Sequence, residues 1–168
     1  TFIDILATSP VIAEKYSILR LDTTRSVQDL GLENRLSLAN INYLVRQIVQ
    51  FIVVNAREKP GLIHVQVTSG LAFWKTGIFI LLGKIFGAGT VAHLHGGMFD
   101  KYYAACRPRT KKWIGRVFAS SDIVIALSEK WRQFLLAEVR SDLRVEIASN
   151  PVDRLFAKAL EAGRSAVD

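Results

Sequence analysis

The stretch that decides the fold covers residues 62–97 and reads LIHVQVTSGLAFWKTGIFILLGKIFGAGTVAHLHGG. It begins with six mostly apolar residues, 62–67, whose β-branched side chains are typical of a buried strand. A long apolar stretch, 71–86, follows and is closed by Gly87, as expected for a mostly buried helix. A second short apolar run, 90–95, ends at two glycines. Strand, helix and strand in this order predict a parallel β-α-β unit.

The same alternation continues on both sides of this unit. Apolar residues recur at three- and four-residue spacing over residues 37–57, which predicts a one-faced helix before the first of these strands. Further strands are predicted at 17–22, 122–127 and 143–148, and helices near the start, within 98–119, over 129–139 and from about residue 153. Pro10 is expected to break the first helix. We expect the five strands to lie parallel in one sheet with helices on both faces, a Rossmann-like, doubly wound α/β fold.

The composition is that of one ordinary globular domain. The chain has 168 residues, of which 50% are apolar and 22% charged, and this argues against disorder, a collagen-like repeat or two full domains. Its only cysteine, Cys106, cannot form a disulfide within the chain, so we expect a reducing compartment. We see no secretory signal and no uncharged apolar stretch of the roughly 18 residues that a membrane span needs. We expect a soluble domain that can at most lie on a membrane.

The net charge of +7 is concentrated in the middle third of the chain. Residues 61–120 contain eight basic residues and one acid, and the flanking thirds are close to neutral. Six of these cations fall between residues 101 and 116, where there is no acid: Lys101, Arg107, Arg109, Lys111, Lys112 and Arg116. Such a block predicts an anionic partner, with a solvated helix face as the alternative.

Functional residues of a parallel α/β fold are expected just after the strands, because ligands bind in the crevice beyond the strands' carboxyl ends. The turns there are small, polar or glycine-rich, at residues 22–24, 68–70, 95–97, 128–129 and 150–151. Helix caps and tight turns need the same residue types, which explains most of these positions equally well. The turn at 95–97 stands out. We expect His95 to point into the crevice, while Gly96 and Gly97 let a ligand approach the backbone.

Other chemistries fit the residues less well. His93 and His95 alternate onto one strand face, and His64 lies on a neighbouring predicted strand, a pattern that suggests a metal site. No cysteine or carboxylate lies close to them in the sequence, so we expect no metal. The sequence contains no nucleophile elbow, and Cys106 has no clear base beside it, which argues against a hydrolase. It also lacks the glycine-rich loop of a dinucleotide site.

Three segments together resemble the amino-terminal domain of a retaining glycosyltransferase with the GT-B fold. They are HLHGGMF at 93–99, DIVIALS at 122–128 with Trp131 three residues later, and NPVD at 150–153. Each motif is modest alone, but their order and spacing are specific for the family-four group of bacterial polysaccharide and glycolipid enzymes. The resemblance covers residues 16–153.

The resemblance implies two Rossmann-like domains that share one reaction. Residues 1–153 correspond to the acceptor-side domain without its first strand and glycine-rich loop, and residues 154–168 to the start of the interdomain linker. We expect the donor-binding carboxyl-terminal domain to be missing from this chain and the chain alone to be inactive. The implied reaction transfers a sugar from a nucleotide sugar, held mainly by that second domain, to a lipid-linked or glycan acceptor.

The resemblance also implies roles for single residues. His95 corresponds to the active-site histidine that faces the transferred sugar. The substrate-binding positions are expected at Gly96, Gly97, Ser69, Gly70 and Asn150. Polar groups around the sugar would stabilise its oxocarbenium-like transition state. No metal or other cofactor is implied, because basic groups and a helix amino terminus of the second domain neutralise the diphosphate.

The basic segment, defined here as residues 101–116, is expected to contact anionic lipid headgroups or acceptor phosphates. Tyr102, Tyr103 and Trp113 lie among its cations, and such aromatics favour the membrane interface. This predicts a peripheral enzyme at the cytoplasmic face of the cell membrane. Two other functions stay open at this point: a non-catalytic binding module on the same fold, and a protein that binds nucleic acid or phosphate through the basic segment. Since no recognised nucleic-acid motif accompanies the segment, a nucleic-acid partner is not expected.

Overall fold

One parallel sheet organises the described part of the chain. The fold comes from a computed structural model, which describes residues 9–23 and 38–150. In chain order its elements are α1 (Pro10–Lys15), α2 (Leu38–Glu58), β1 (Leu62–Val67), α3 (Leu71–Ile85), β2 (Gly89–Leu94), α4 (Phe99–Ala105), α5 (Pro108–Ala119), β3 (Ile123–Ala126), α6 (Glu129–Phe134), a π-helical turn (Leu135–Val139) and β4 (Val145–Ile147). The strands are parallel and lie side by side in the order β1-β2-β3-β4. The predicted Rossmann-like α/β fold class is confirmed.

The chain divides into two compact units. One contains Asp22–Ala148, and therefore the sheet and all helices from α2 onward. The other is made of Thr1–Leu21 and Ser149–Asp168, of which the structure describes α1, the residues around it and residues 149–150. The helix predicted from about residue 153 and the linker predicted at 154–168 lie outside the described residues.

Alternating burial along β1 shows which face of the sheet carries the core. Its inward-facing residues are buried: Ile63, Val65 and Val67. Leu62, on the other face, is 60% exposed. Helix α3 lies close over the buried face. A β-carbon built on its Gly83 would come within 2.8 Å of the Ile63 side chain and 3.1 Å of the Thr90 side chain. Helices α2 and α5 pack against α3. A strand with one buried face has a strongly specified register.

Three phenylalanines join the helices that follow β1 and β2. Phe73 of α3, Phe99 of α4 and Phe118 of α5 are fully buried, and their ring centroids lie 5.5 to 5.7 Å apart. Tilted and edge-on rings at this spacing add to the stabilisation from burial. The cluster holds the start of α4 in place, and α4 begins at Phe99, two residues after the turn at 95–97.

The prediction of a strand at 17–22 is wrong. Residues 16–23 form no strand, and the apolar side chains of Tyr16, Ile18 and Leu19 are 66%, 41% and 54% exposed. A strand requires a hydrogen-bonded neighbour, and this segment pairs with none of the four strands. The prediction that Pro10 breaks a helix depends on residues 1–8, which lie outside the described residues. Pro10 is the first residue of α1, where proline's missing N–H has no helical partner to lose.

The other predicted elements are confirmed with small shifts. The helical stretch at 98–119 divides into α4 and α5, and Pro108 opens the second of them. The helix predicted over 129–139 widens into the π-helical turn after Phe134. Among the helices of residues 9–23 and 38–150, none has both the length and the apolar content to cross a membrane.

Candidate active site

The turns after β1 and β2 lie side by side at the carboxyl edge of the sheet. The backbone N–H of His95 donates to the carbonyl oxygen of Val67 at 2.9 Å. A β-carbon built on Gly96 would lie 3.5 Å from the α-carbon of Thr68. Since Val67 and Leu94 are paired in register, both chains leave the sheet at the same level. The structure therefore brings together two of the turns that the sequence predicts as functional.

Ser69 and Gly70 lead from β1 into α3. Both are half-buried, and Gly70 has a φ of 70° and a ψ of −143°. Residues other than glycine rarely adopt this backbone conformation. Gly70 is therefore explained by the geometry of the turn, whether or not it also touches a ligand.

Gly96 and Gly97 lead from β2 into α4. The N–H of Phe99 donates to the carbonyl of Gly96 at 3.1 Å, and the buried ring of Phe99 holds that first turn against the core. Gly97 is exposed, and a β-carbon built on it would meet no atom within 4 Å. The backbone of Gly97 is therefore open to solvent at this edge of the sheet, and its role in binding a ligand stays a prediction.

Three histidines form a continuous row of rings, which we call the histidine row: His64, His93 and His95. His64 Nε2 and His93 Nδ1 lie 3.2 Å apart, and the two ring planes are nearly parallel, at 11°, with centroids 5.3 Å apart. The rings of His93 and His95 are closer still, with centroids 3.9 Å apart. His93 is fully buried, His95 is half-buried and His64 is exposed. The row therefore runs from an exposed position on β1, through the interior, to the candidate turn.

The surroundings of these rings favour their neutral forms. Burial, together with the neighbouring His95 and His64, lowers the pKa of His93 to about 3. The pKa of His64 is lowered by desolvation of its ring and by His95, and that of His95 by desolvation. Burial disfavours a charged imidazole because water no longer solvates it. At pH 7 the row therefore supplies uncharged hydrogen-bonding groups.

In the part of the chain that the structure describes, no group of three or more histidine, cysteine, aspartate or glutamate side chains could hold a metal ion. The close contact of His64 Nε2 with His93 Nδ1 instead suits a shared hydrogen atom. That the reaction needs no metal stays a prediction.

A contact that the sequence did not reveal anchors the backbone at Thr23, within the predicted turn at 22–24. Gln47 of α2 and Lys75 of α3 both donate to the carbonyl oxygen of Thr23, at 2.8 Å each. Gln47 is 4% exposed. The donors lie 24 and 52 residues along the chain from Thr23, so no local pattern could have pointed to them. Thr24 lies outside the described residues.

The remaining predicted site residues are found elsewhere. Asn150 is exposed and belongs to the unit that also contains α1. In the basic segment, Lys101 lies on α4, Arg107 directly precedes α5, and the other four cations lie on α5. A cavity of about 420 Å³ opens beside Asn55, Lys59 and Phe86, near the amino end of β1 and therefore at the opposite edge of the sheet from His95.

The comparison with known families identifies one family for most of the chain. The pattern of one family, described as a glycosyl transferase 4-like domain, matches residues 14–151. No curated protein and no solved structure gives a significant match. The matched range includes the sheet, the histidine row and both glycine turns. The chain belongs to the glycosyl transferase 4-like family, whose members have a sugar donor and an acceptor as partners.

Proposed function

We propose that this chain provides the acceptor-side domain of a retaining, nucleotide-sugar-dependent glycosyltransferase, with His95 as the active-site residue that faces the transferred sugar. The observation that carries the proposal is the contact between the turns after β1 and β2, where His95 lies beside Val67 and the open backbone of Gly97. Ligands of parallel α/β sheets bind at this edge. The family assignment gives the reaction class.

A neutral histidine suits this reaction. The transition state of glycosyl transfer carries positive charge on the sugar ring, so a protonated imidazole beside it would be repelled. The lowered pKa of His95 keeps the ring uncharged at neutral pH, and it can then exchange hydrogen bonds with sugar hydroxyls. In this proposal Gly96, Gly97, Ser69 and Gly70 line the sugar site, and Asn150 lies at the boundary with the donor-binding domain. That domain neutralises the diphosphate without a metal, and the chain alone does not turn over.

The test is the turnover of His95→Ala in the protein that carries both domains. We expect kcat to fall by roughly 100-fold or more, which is the usual loss when one preorganised polar contact to a transition state is removed. Arg144→Ala is the control, because Arg144 directly precedes β4 at the opposite edge of the sheet and its side chain is 69% exposed. Near-normal turnover of His95→Ala, with folding unchanged, would exclude His95 from the mechanism.

A second feature supports a location at an anionic surface. Helix α5 presents Arg109, Lys112 and Arg116 on its exposed side, and Trp113 among them is 56% exposed. The Arg116 guanidinium lies over the Trp113 ring, 4.8 Å from its centre. Within residues 9–23 and 38–150, none of the six cations of the basic segment forms an ion pair with a carboxylate. Their charge is therefore available to lipid headgroups or to the phosphates of a lipid-linked acceptor.

The position of these cations on α5 strengthens this proposal. Arg109, Lys111 and Lys112 lie in the first half of the helix, and its first turn contains no acid. The amino end of a helix carries partial positive charge, so cations there are unfavourable and an anion is favourable. Lys111 is partly compensated by the Tyr103 ring, 4.9 Å from the lysine nitrogen. An anionic partner would relieve the repulsion among the others.

Vesicle sedimentation tests the surface. We expect the chain to bind vesicles that contain anionic lipid, to bind less at high salt, and to bind less when Arg109, Lys112 and Arg116 are changed to Gln, because each cation near such a surface contributes about 1 kcal/mol. The control changes three exposed cations elsewhere, Arg57, Lys130 and Arg144, to Gln. Equal binding to neutral and anionic vesicles, or equal loss in both triple variants, would contradict the membrane role. Salt-dependent binding to single-stranded nucleic acid without vesicle binding would favour the alternative function instead.

A further inference from the structure

The histidine row contains a residue whose burial the fold does not require. His93 occupies a fully buried position of β2, and its neighbours in register are Gln66 on β1 and Ile125 on β3. An apolar residue would fill such a position without the desolvation cost of an imidazole. Burial of a polar ring between two other histidines therefore calls for an explanation in terms of those neighbours.

The contact between His64 and His93 links the hydrogen positions of the two rings. A distance of 3.2 Å between His64 Nε2 and His93 Nδ1 is a hydrogen bond only if one nitrogen carries a hydrogen and the other does not. If His93 Nδ1 accepts, its own hydrogen lies on Nε2. If it donates, His64 must carry its hydrogen on Nδ1. The tautomer of His93 is therefore coupled to that of His64.

The contact between His93 and His95 restricts the ring of His95. The ring centroids are 3.9 Å apart, and the planes are inclined by 43°. A ring that packs this closely against a fully buried neighbour has few orientations that avoid a clash. His93 is held from one side by His64 and limits His95 on the other.

We propose that His93 is the positioning residue of His95, and that His64 holds His93 through the Nε2–Nδ1 hydrogen bond. This inference rests on the proposed function of His95, and it assigns roles to two residues that do not themselves touch the sugar. The row holds the His95 ring in one orientation at the turn. It also shields that ring from water, and this keeps the ring neutral. Preorganisation of this kind lowers the barrier because the polar group need not reorient during the reaction.

The primary test is spectroscopic and needs no activity. The chain has three histidines, so isotope labelling of histidine gives three ring systems, which can be assigned by replacing one residue at a time. In His93→Ala we expect the pKa of His95 to rise toward its ordinary value of about 6.5 and its tautomers to become mixed, because water enters beside the ring. Leu62→Ala is the control, since Leu62 lies two residues before His64 on the same strand and is 60% exposed. Unchanged tautomer and pKa of His95 in His93→Ala would overturn the proposal.

A double-mutant cycle keeps the proposal testable if His93→Ala does not fold. His93→Phe retains a ring of similar size and removes both nitrogens. His64→Ala should shift the His95 signals in the native background and shift them less in the His93→Phe background, because the hydrogen bond is already lost there and only the direct electrostatic effect of His64 on His95 remains. Equal shifts in both backgrounds would refute the role of the hydrogen bond.

Kinetics of the two-domain enzyme separate this inference from the proposed function. His64→Ala should lower kcat about 5-fold with KM unchanged, the effect of losing one hydrogen bond of typical strength. If His95→Ala is as active as the native enzyme, the proposed function fails, while the spectroscopic result still decides whether His93 and His64 position His95. If His95→Ala is inactive but His95 is unaffected in His93→Ala, the proposed function stands and the positioning role fails.

Discussion

Replacement of Gly70 by alanine is the sharpest test of the turn that begins the candidate site. Gly70 has a φ of 70° and a ψ of −143°, a region where a β-carbon clashes with the backbone. Residues forced into such regions cost of the order of 1–3 kcal/mol. Alanine also reduces the freedom of the unfolded chain, which offsets about 0.4–1 kcal/mol. We expect Gly70→Ala to lower the free energy of unfolding by about 1–2 kcal/mol.

Gly97→Ala is the matched control. Gly97 lies in the neighbouring turn, its φ is outside the left-handed region, and a β-carbon there would meet open space. Only the reduced conformational freedom of the unfolded chain remains as an effect. The free energy of unfolding of this variant should therefore be unchanged or higher by up to about 1 kcal/mol. The difference between the two variants is therefore about 2 kcal/mol, although both add one methyl group at the same edge of the sheet.

Urea unfolding, followed by tryptophan fluorescence and circular dichroism, measures this difference. With a typical dependence of about 1–3 kcal/mol per molar urea, the midpoints should differ by about 1 M, with Gly70→Ala unfolding first. Equal midpoints for the two variants would show that the turn adapts at no cost, and the explanation of Gly70 by backbone geometry would then be wrong.

Two further predictions concern stability. The native pKa of His93 is about 3, below the ordinary histidine value of about 6.5. Between these two pH values the unfolded chain binds a proton at His93 that the native chain does not. Stability should therefore fall as pH falls through this range, by up to about 1.4 kcal/mol per pH unit. Urea midpoints at pH 7, 5 and 4 should fall less steeply in His93→Phe, and parallel curves would contradict the assignment. Asp122 accepts hydrogen bonds from the N–H and hydroxyl of buried Thr90, at 2.7 and 3.1 Å, and pairs with Lys84. Asp122→Ala should lower the free energy of unfolding by about 1–3 kcal/mol, and Lys84→Ala should lower it by less than about 1 kcal/mol. Thermal or urea unfolding measures both changes. Equal losses in the two variants would show that the ion pair dominates.

Local patterns in the sequence determined most of the fold. The strand at 62–67 was predicted with its observed bounds, and the strand at 90–95 is displaced by one residue. Both are short apolar runs bounded by turn residues, so the signal lies within the element itself. The rule that ligands bind beyond the carboxyl ends of parallel strands also predicted that the turns at 68–70 and 95–97 lie at the same edge of the sheet.

Only the tertiary structure decided what depends on partners distant in the chain. Residues 17–22 have the composition of a strand, but pairing is not encoded within six residues, and they pair with none of the four described strands. The anchoring of Thr23 by Gln47 and Lys75 is likewise invisible locally. The sequence placed His64, His93 and His95 on neighbouring strands and argued against a metal there, but it gave no orientation of the three rings. Only the register of β1 and β2 and the burial of His93 show that these three residues form a row of neutral rings in contact with one another.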